Sequence, residues 1–149
     1  MTFDPKLFKD FSGAGGHINF STKTLRAGEG GIKAIEAIME KLEAKHKQHI
    51  DVYGDNSQRL SGLFETSSID KFTYGAGNRA ASCRIPTITC ANDGAGYLED
   101  RRPASDINPY VACAAILDTV VLDGTNFGEL HEVYMKWQEW KKTANIEEV

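Results

Sequence analysis

Five arginines fall within forty-four residues: Arg59, Arg79, Arg84, Arg101 and Arg102. Guanidinium groups bind carboxylate and phosphate oxygens through paired, planar hydrogen bonds, so such a cluster suits an anionic substrate. Ordinary ion pairs with Glu65, Asp70, Glu99, Asp100 and Asp106 would produce the same cluster, and both readings stand at this level. In Glu99-Asp100-Arg101-Arg102 the charges alternate in pairs. On a strand, Glu99 and Arg101 would share one face, and Asp100 and Arg102 the other. A carboxylate beside guanidinium groups could hold a divalent cation that bridges phosphates. The bland alternative is a solvated charge run. His17 follows a glycine turn and is either a metal or phosphate contact or a structural histidine. His46 and His49 are three apart on a helical pattern, but nothing nearby completes a metal site, so they read as helix-surface residues.

These side chains need elements to position them. The segment His17 to Ser21 alternates polar and apolar residues, which predicts a half-buried strand. Thr2 to Pro5 reads as a second short strand. Between Gly31 and Ile50, Ile32, Ile35, Met39, Leu42 and His46 recur at helical spacing and predict one long helix. Residues Arg59 to Tyr74 are irregular. The segments Asn78 to Ile85 and Gly96 to Arg102 predict two strands joined as a hairpin across the Ala91 to Gly96 turn. Arg79 and Arg101 then lie on strands that pair. Asn108 followed by Pro109 starts a helix that runs to about Leu122. That helix is apolar nearly all round, which predicts burial. Leu130, Val133, Tyr134, Trp137 and Trp140 predict a final amphipathic helix, and the tail from Thr143 reads as frayed. Together the pattern is α+β, with an antiparallel sheet packed with helices.

Composition narrows the function classes. The chain has 149 residues, 41% of them hydrophobic, which is enough for one ordinary core. A formal net charge of −4 gives no general pull toward nucleic acid or an anionic membrane. The three cysteines lack CxxC spacing, so neither a disulfide framework nor a zinc site can be read, and a reducing, cytoplasmic setting is expected. No apolar run approaches membrane-spanning length. The Gly13 to Gly16 stretch lacks the GxxxxGK[ST] pattern and leads into a strand, so it is not a phosphate-binding loop of that kind. From residues alone, the reading ends at a basic cleft on a sheet.

Four motifs in order carry a closer resemblance. The run Gly13-Ala14-Gly15-Gly16-His17-Ile18-Asn19-Phe20-Ser21-Thr22-Lys23 is similar to the GAGxHxNFSTK segment of eukaryotic-type glutamine synthetases. Ser61 to Thr66 resembles their LTGxHET loop, Asn78 to Pro86 their ANRxASxRIP motif, and Gly96 to Ser105 their GYFEDRRPAS motif. Asn108-Pro109-Tyr110 matches the DPY that follows. The resemblance covers about residues 2–122, and the segment 123–149 does not share it and would be a divergent C-terminal helix and tail.

The resemblance implies the C-terminal half of a glutamine synthetase/guanido kinase-like catalytic domain, with the N-terminal β-grasp domain absent and no GQWE-type motif. It implies a ligase that makes glutamine from glutamate, ammonia and ATP through a γ-glutamyl phosphate, with Mg2+ or Mn2+ as cofactor. By motif, His17 and Glu99 would be metal ligands. Asn19, Phe20, Ser21, Arg79, Arg84, Tyr97, Leu98 and Glu99 would line the ATP site. Arg59, Arg79 and Arg101 would hold glutamate, and Glu65, Arg79 and Arg101 would act in catalysis. Two departures touch the glutamate and ammonium side. Phe64 stands where the family has His, and Phe11-Ser12 where it has Trp-Asn. A chain lacking half the domain would be inactive alone. Its partner would be a second copy or a full-length glutamine synthetase subunit. The alternative is a non-catalytic pseudo-enzyme or regulatory subunit that docks on a full-length ring, and a generic anion-binding module is a third reading.

Overall fold

A computed structural model describes residues 2–144. The alternating run after the glycine turn forms β1 (Ile18–Phe20). Thr22 then caps α1 (Lys23–Ala27), its hydroxyl accepting the Leu25 N–H at 3.1 Å. The segment expected as a strand at Thr2 to Pro5 is irregular, because its backbone is spent on a bend rather than a ladder: Pro5 O accepts the Ala14 N–H at 2.8 Å.

The stripe expected on one long helix divides between α2 (Gly31–Ala44) and α3 (His46–Val52). Lys45, at φ −106° and ψ 12°, breaks the helical run. The break redirects the second piece, so that His49 and Val52 enter the core behind Ile35, Met39 and Leu42. Ile32, at the start of the predicted stripe, stays half exposed.

The sheet is mixed, which corrects the expectation of an antiparallel one. Its order is β1-β4-β3-β2, with β2 (Tyr74–Ala76), β3 (Cys83–Ile85) and β4 (Leu98–Asp100). The pairs β1/β4 and β3/β4 are antiparallel, whereas β2/β3 is parallel. The strands are shorter than expected. Residues 78–82 form turns, and Arg79 lies off the sheet. The expected hairpin is replaced by a helix: α4 (Thr87–Ala91) and a turn with Asp93 and Gly94 at φ 51° and 90° connect β3 to β4. Pro86 ends β3 and supplies the N-cap of α4.

Asn108 and Pro109 start α5 (Pro109–Val121) as the sequence indicates, with Asn108 Oδ1 accepting the Tyr110 and Val111 N–H groups. One side of α5 is buried through Val111, Ala112, Ala115 and Ile116. Tyr110, Leu117 and Val121 are exposed, so burial is one-sided rather than all round. Asp123 and Gly124, both at positive φ, turn the chain into α6 (Phe127–Thr143). Phe127 and Tyr134 anchor α6 with Trp137 partly buried, while Val133 and Trp140 face outward. Residues 145–149, most of the tail expected to fray, lie outside the described residues. Among the described residues no helix is long and apolar enough to cross a membrane.

Candidate functional site

Strand register sets the site. Asn19, Glu99 and Arg84 stand opposite one another on β1, β4 and β3, so they form one row on one face of the sheet. The neighbouring row, Ile18, Asp100 and Cys83, points the other way. Arg101 follows two residues after Glu99 and returns to the same face. Arg84 Nε lies 2.6 Å from Glu99 Oε2, an ion pair by distance although not aligned as a hydrogen bond. Arg101 Nη1 donates to both Glu99 oxygens at 3.3 and 3.2 Å. His17 Nδ1 is 3.4 Å from Glu99 Oε1. The alternative of a solvated charge run does not hold, since residues 99–102 are all buried. Ion pairing and clustering coincide instead.

Arg59 arrives from the irregular segment and is only 3% exposed. Its Nη1 donates to Asn56 Oδ1 and Arg102 O, both at 3.0 Å, and its Nη2 to Arg101 O at 2.9 Å. Nη2 also lies 3.2 Å from His17 Nε2. An arginine has no acceptor, so His17 Nε2 must accept and Nδ1–H must face Glu99. Burial, then the positive charges of Arg101 and Arg59, hold the His17 pKa below its ordinary value. Burial alone would raise the Glu99 pKa, but Arg101 and Arg84 together hold it below the usual carboxylate range. Burial pushes Arg59 down to about 10, which leaves it protonated at neutral pH. Three guanidinium groups thus surround one carboxylate and a neutral imidazole, an excess of two positive charges that favours an incoming anion. Both Nη atoms of Arg59 are engaged by internal acceptors, and its buried Nε has no partner within the chain.

Glu65 and Arg79 sit at the rim. Glu65 Oε2 is 3.0 Å from Arg79 Nη2, with both side chains more than half exposed. Phe64 and Glu65 hold φ values of 54° and 60°, unusual for non-glycine residues and common at switch and clamp loops. The loop is tied back at its base by a Ser61–Ser68 bridge, and Arg101 Nη2 reaches Glu65 O at 3.5 Å. Arg101 Nε donates to Arg79 O at 3.0 Å, so the rim loops are hung on the buried arginine.

The remaining sequence-selected residues divide. Asn19 is exposed and Tyr97 is 36% exposed, both open to a ligand. Ser21 Oγ is engaged with Gly96 O at 2.6 Å. Phe20 packs against the core. Leu98 is fully buried within the core, so only its backbone could meet a nucleotide. His49, read from sequence as a helix-surface residue, is fully buried and hydrogen-bonded at both ring nitrogens, because α3 turns inward after Lys45. His46 is partly buried and bonded to Ile69 O and Arg102 Nη1. Behind the site, sequence reasoning placed Asp100 and Arg102 on the opposite face by alternation but missed Tyr53, which no periodic signal ties to them.

The donor set fits a divalent cation in part. The Glu99 carboxylate lies beside the His17 imidazole, whose Nε2 lone pair would become a donor only on release from Arg59 Nη2, and among the described residues no three metal-ligating side chains converge. Magnesium is commonly held by one or two protein ligands with phosphate oxygens and water completing the shell, and two donors beside an anion-attracting cluster suit that mode.

Comparison with known proteins shows which family the sequence resembles. Residues 55–131 match the family model described as glutamine synthetase, catalytic domain. The chain is 56% identical over 122 residues to glutamine synthetase of Schizosaccharomyces pombe, covering 80% of this chain and 33% of that protein. It is 53% identical over 129 residues to glutamine synthetase 1, mitochondrial, of Drosophila melanogaster, covering 83% of this chain and 32% of that protein. With the Yarrowia lipolytica glutamine synthetase it shares 49% identity over 139 residues, 87% of this chain and 38% of that protein. The chain therefore spans about a third of the length of the curated relatives it matches.

Proposed function

The chain belongs to the glutamine synthetase catalytic-domain family, and from that premise we propose that its arginine-ringed Glu99 is part of a metal–nucleotide site for ATP-dependent ligation of ammonia to glutamate. The observation that carries this reading is the convergence of His17, Arg84 and Arg101 on the Glu99 carboxylate. In the ligation, the substrate's side-chain carboxylate oxygen attacks the γ-phosphorus of ATP, the bond to the β-phosphate oxygen breaks, and ADP leaves. Ammonia then attacks the acyl carbon, and phosphate departs with the carbon–oxygen bonding pair. Bound Mg2+ or Mn2+ would supply charge neutralisation on the transferring group, and His17 and Glu99 are the residues that would hold it.

The chain's own residues supply the rest. Arg84 and Arg101 stand where negative charge would accumulate on phosphate oxygens, both already oriented by Glu99, with Arg101 buried and Arg84 partly buried. Arg79, freed from Glu65, would bind a substrate anion at the rim. Glu65, freed from Arg79, is a carboxylate able to take a proton from ammonium as its loop closes. Asn19 and Tyr97 would border the nucleotide. Leu98 and Arg59 act through backbone and scaffold rather than by direct contact. The chain carries about a third of its relatives' length, so by itself it should bind metal–nucleotide but not ligate. Removing one member of a cooperating set commonly costs many powers of ten in rate.

A second reading is a non-catalytic subunit that docks on a full-length ring, as a homo-oligomer partner or regulator. Phe64 favours it: an exposed ring replaces the family's histidine beside the catalytic glutamate, with the Lys6 ammonium 4.7 Å from its centroid. The location expected for the chain is the cytoplasm, although the Drosophila melanogaster relative is named mitochondrial.

Titration of the chain with Mn2+ and ATP, read by electron paramagnetic resonance of free Mn2+, tests the reading. Saturable, nucleotide-dependent Mn2+ binding that Glu99→Gln weakens at least about tenfold is expected, the scale of losing a ligand or its orientation. Equal binding by both chains would refute it. Phosphate release from glutamate, ammonium, ATP and Mg2+ by the chain alone would overturn the proposed inactivity.

A further inference from the structure

Behind the site, the opposite face of β4 carries an Asp100–Arg102 pair with no solvent exposure. Each Asp100 oxygen has two donors. Oδ1 accepts the Arg102 N–H at 3.1 Å and Nε at 2.9 Å, and Oδ2 accepts Arg102 Nη2 at 2.7 Å and the Tyr53 hydroxyl at 2.9 Å. The Arg102 guanidinium sits 5.3 Å from the Tyr53 ring centroid and 5.1 Å from that of Phe72. Tyr53 also grips the chain beyond the strand, its carbonyl accepting the Ala104 N–H at 2.9 Å.

Proton positions in this network follow from donor counting. Asp100 is acceptor-only, so Tyr53 donates to it. The Tyr53 oxygen then accepts from His49 Nδ1–H at 2.5 Å. His49 Nε2 carries no proton and accepts the Thr119 hydroxyl at 2.8 Å. The chain of donors runs one way, from α5 through α3 to β4, and every buried atom named in it is partnered.

We propose that Tyr53 and His49 are positioning residues, which lock the register of β4 from behind and so hold Glu99 and Arg101 on the site face. A three-residue strand has few ladder bonds of its own. A slip of one residue would turn Glu99 and Arg101 into the core and eject Asp100 and Arg102. The saturated network makes that slip costly, because a buried charged pair that loses one partner is left uncompensated. The lock acts on Arg101 directly: Arg102, its neighbour, is clamped by side chain to Asp100 and by carbonyl to Arg59. What the positioned residues bind rests on the functional reading above, but the positioning itself is testable without ligand.

Nuclear magnetic resonance of the full chain gives that test. The Arg101 Nε–H, donated to Arg79 O, should exchange slowly with solvent compared with the exposed Arg79 guanidinium. Tyr53→Phe keeps the ring and removes only the hydroxyl. It should speed Arg101 Nε–H exchange at least tenfold and change the His49 15N pattern from a protonated Nδ1. A Val111→Ala chain, matched for loss of unfolding stability but in the α5 core, should leave Arg101 at the wild-type rate. If Tyr53→Phe fails to fold, Thr119→Val decides by the same criterion. Unchanged Arg101 exchange in the deciding variant, an equal rise in Val111→Ala, or a fast-exchanging Arg101 in the wild type would overturn the proposal. If Arg101 responds as expected while the wild type binds no Mn2+–ATP, the functional reading fails and the positioning role stands.

Discussion

Acid should unfold this chain earlier than its carboxylates alone would require, and His49 is the reason. Burial, with Arg102 nearby, holds the His49 pKa down to about 3 from 6.5. Between these values the unfolded chain takes up a proton that the folded chain refuses. Stability therefore falls as pH drops below 6.5 and stops falling from this source near 3. At about pH 4.5, two units below the unfolded value, the loss attributable to His49 is about 3 kcal/mol, a large fraction of a small domain's stability. Urea unfolding at about pH 7 and about pH 4.5, followed by circular dichroism, measures it. His49→Gln keeps a side chain able to donate and accept but does not titrate. His17 and His46, whose pKa values are also lowered by burial, contribute equally to both chains. The mutant, less stable at neutral pH, should lose about 3 kcal/mol less than the wild type between the two conditions. Equal losses would refute the buried, neutral histidine and the donor chain built on it.

Arg79→Ala should weaken nucleotide binding more than Lys47→Ala, because Arg79 stands at the site rim while Lys47 lies on the exposed face of α3; fluorescence titration with a nucleotide analogue distinguishes them, and equal effects would count against a site at Arg79. Gly54→Ala should destabilise by about 1–3 kcal/mol in thermal or urea unfolding, since Gly54 holds φ 80° and an added Cβ would meet the Asp106 carboxylate. Asn108→Ala should cost about 1 kcal/mol in the same assay by uncapping α5, with little effect on ligand binding.

Local chemistry was legible where it depended on neighbours in sequence. The Asn108-Pro109 start of α5 and its end near Leu122 are local signals, and both appear where the residues put them. The alternation of residues 99–102 correctly separated the Glu99–Arg101 face from the Asp100–Arg102 face. What alternation could not show is that both faces are buried, because that depends on the strands on either side. The parallel pairing of β2 with β3 rests on contacts with no sequence period. A helix in place of a hairpin turn was missed because Thr87 to Ala91 is too short for a periodic pattern to emerge. His49 was misassigned because a helical wheel assumes one straight helix, and the break at Lys45 changes which face turns inward. Arg59 was assigned to a ligand by motif, yet both of its Nη atoms donate to carbonyls remote in sequence, while its buried Nε has no partner within the chain.

The most direct test of the account is anomalous diffraction from crystals of the chain grown with Mn2+ and a non-hydrolysable ATP analogue. A manganese peak within about 2–2.5 Å of both His17 and Glu99, with phosphate oxygens filling further positions and Arg84 or Arg101 on the nucleotide, is the predicted result. Ordered nucleotide with manganese away from His17 and Glu99, or a saturated crystal with the Arg84–Glu99–Arg101 cluster still closed and empty, would contradict it.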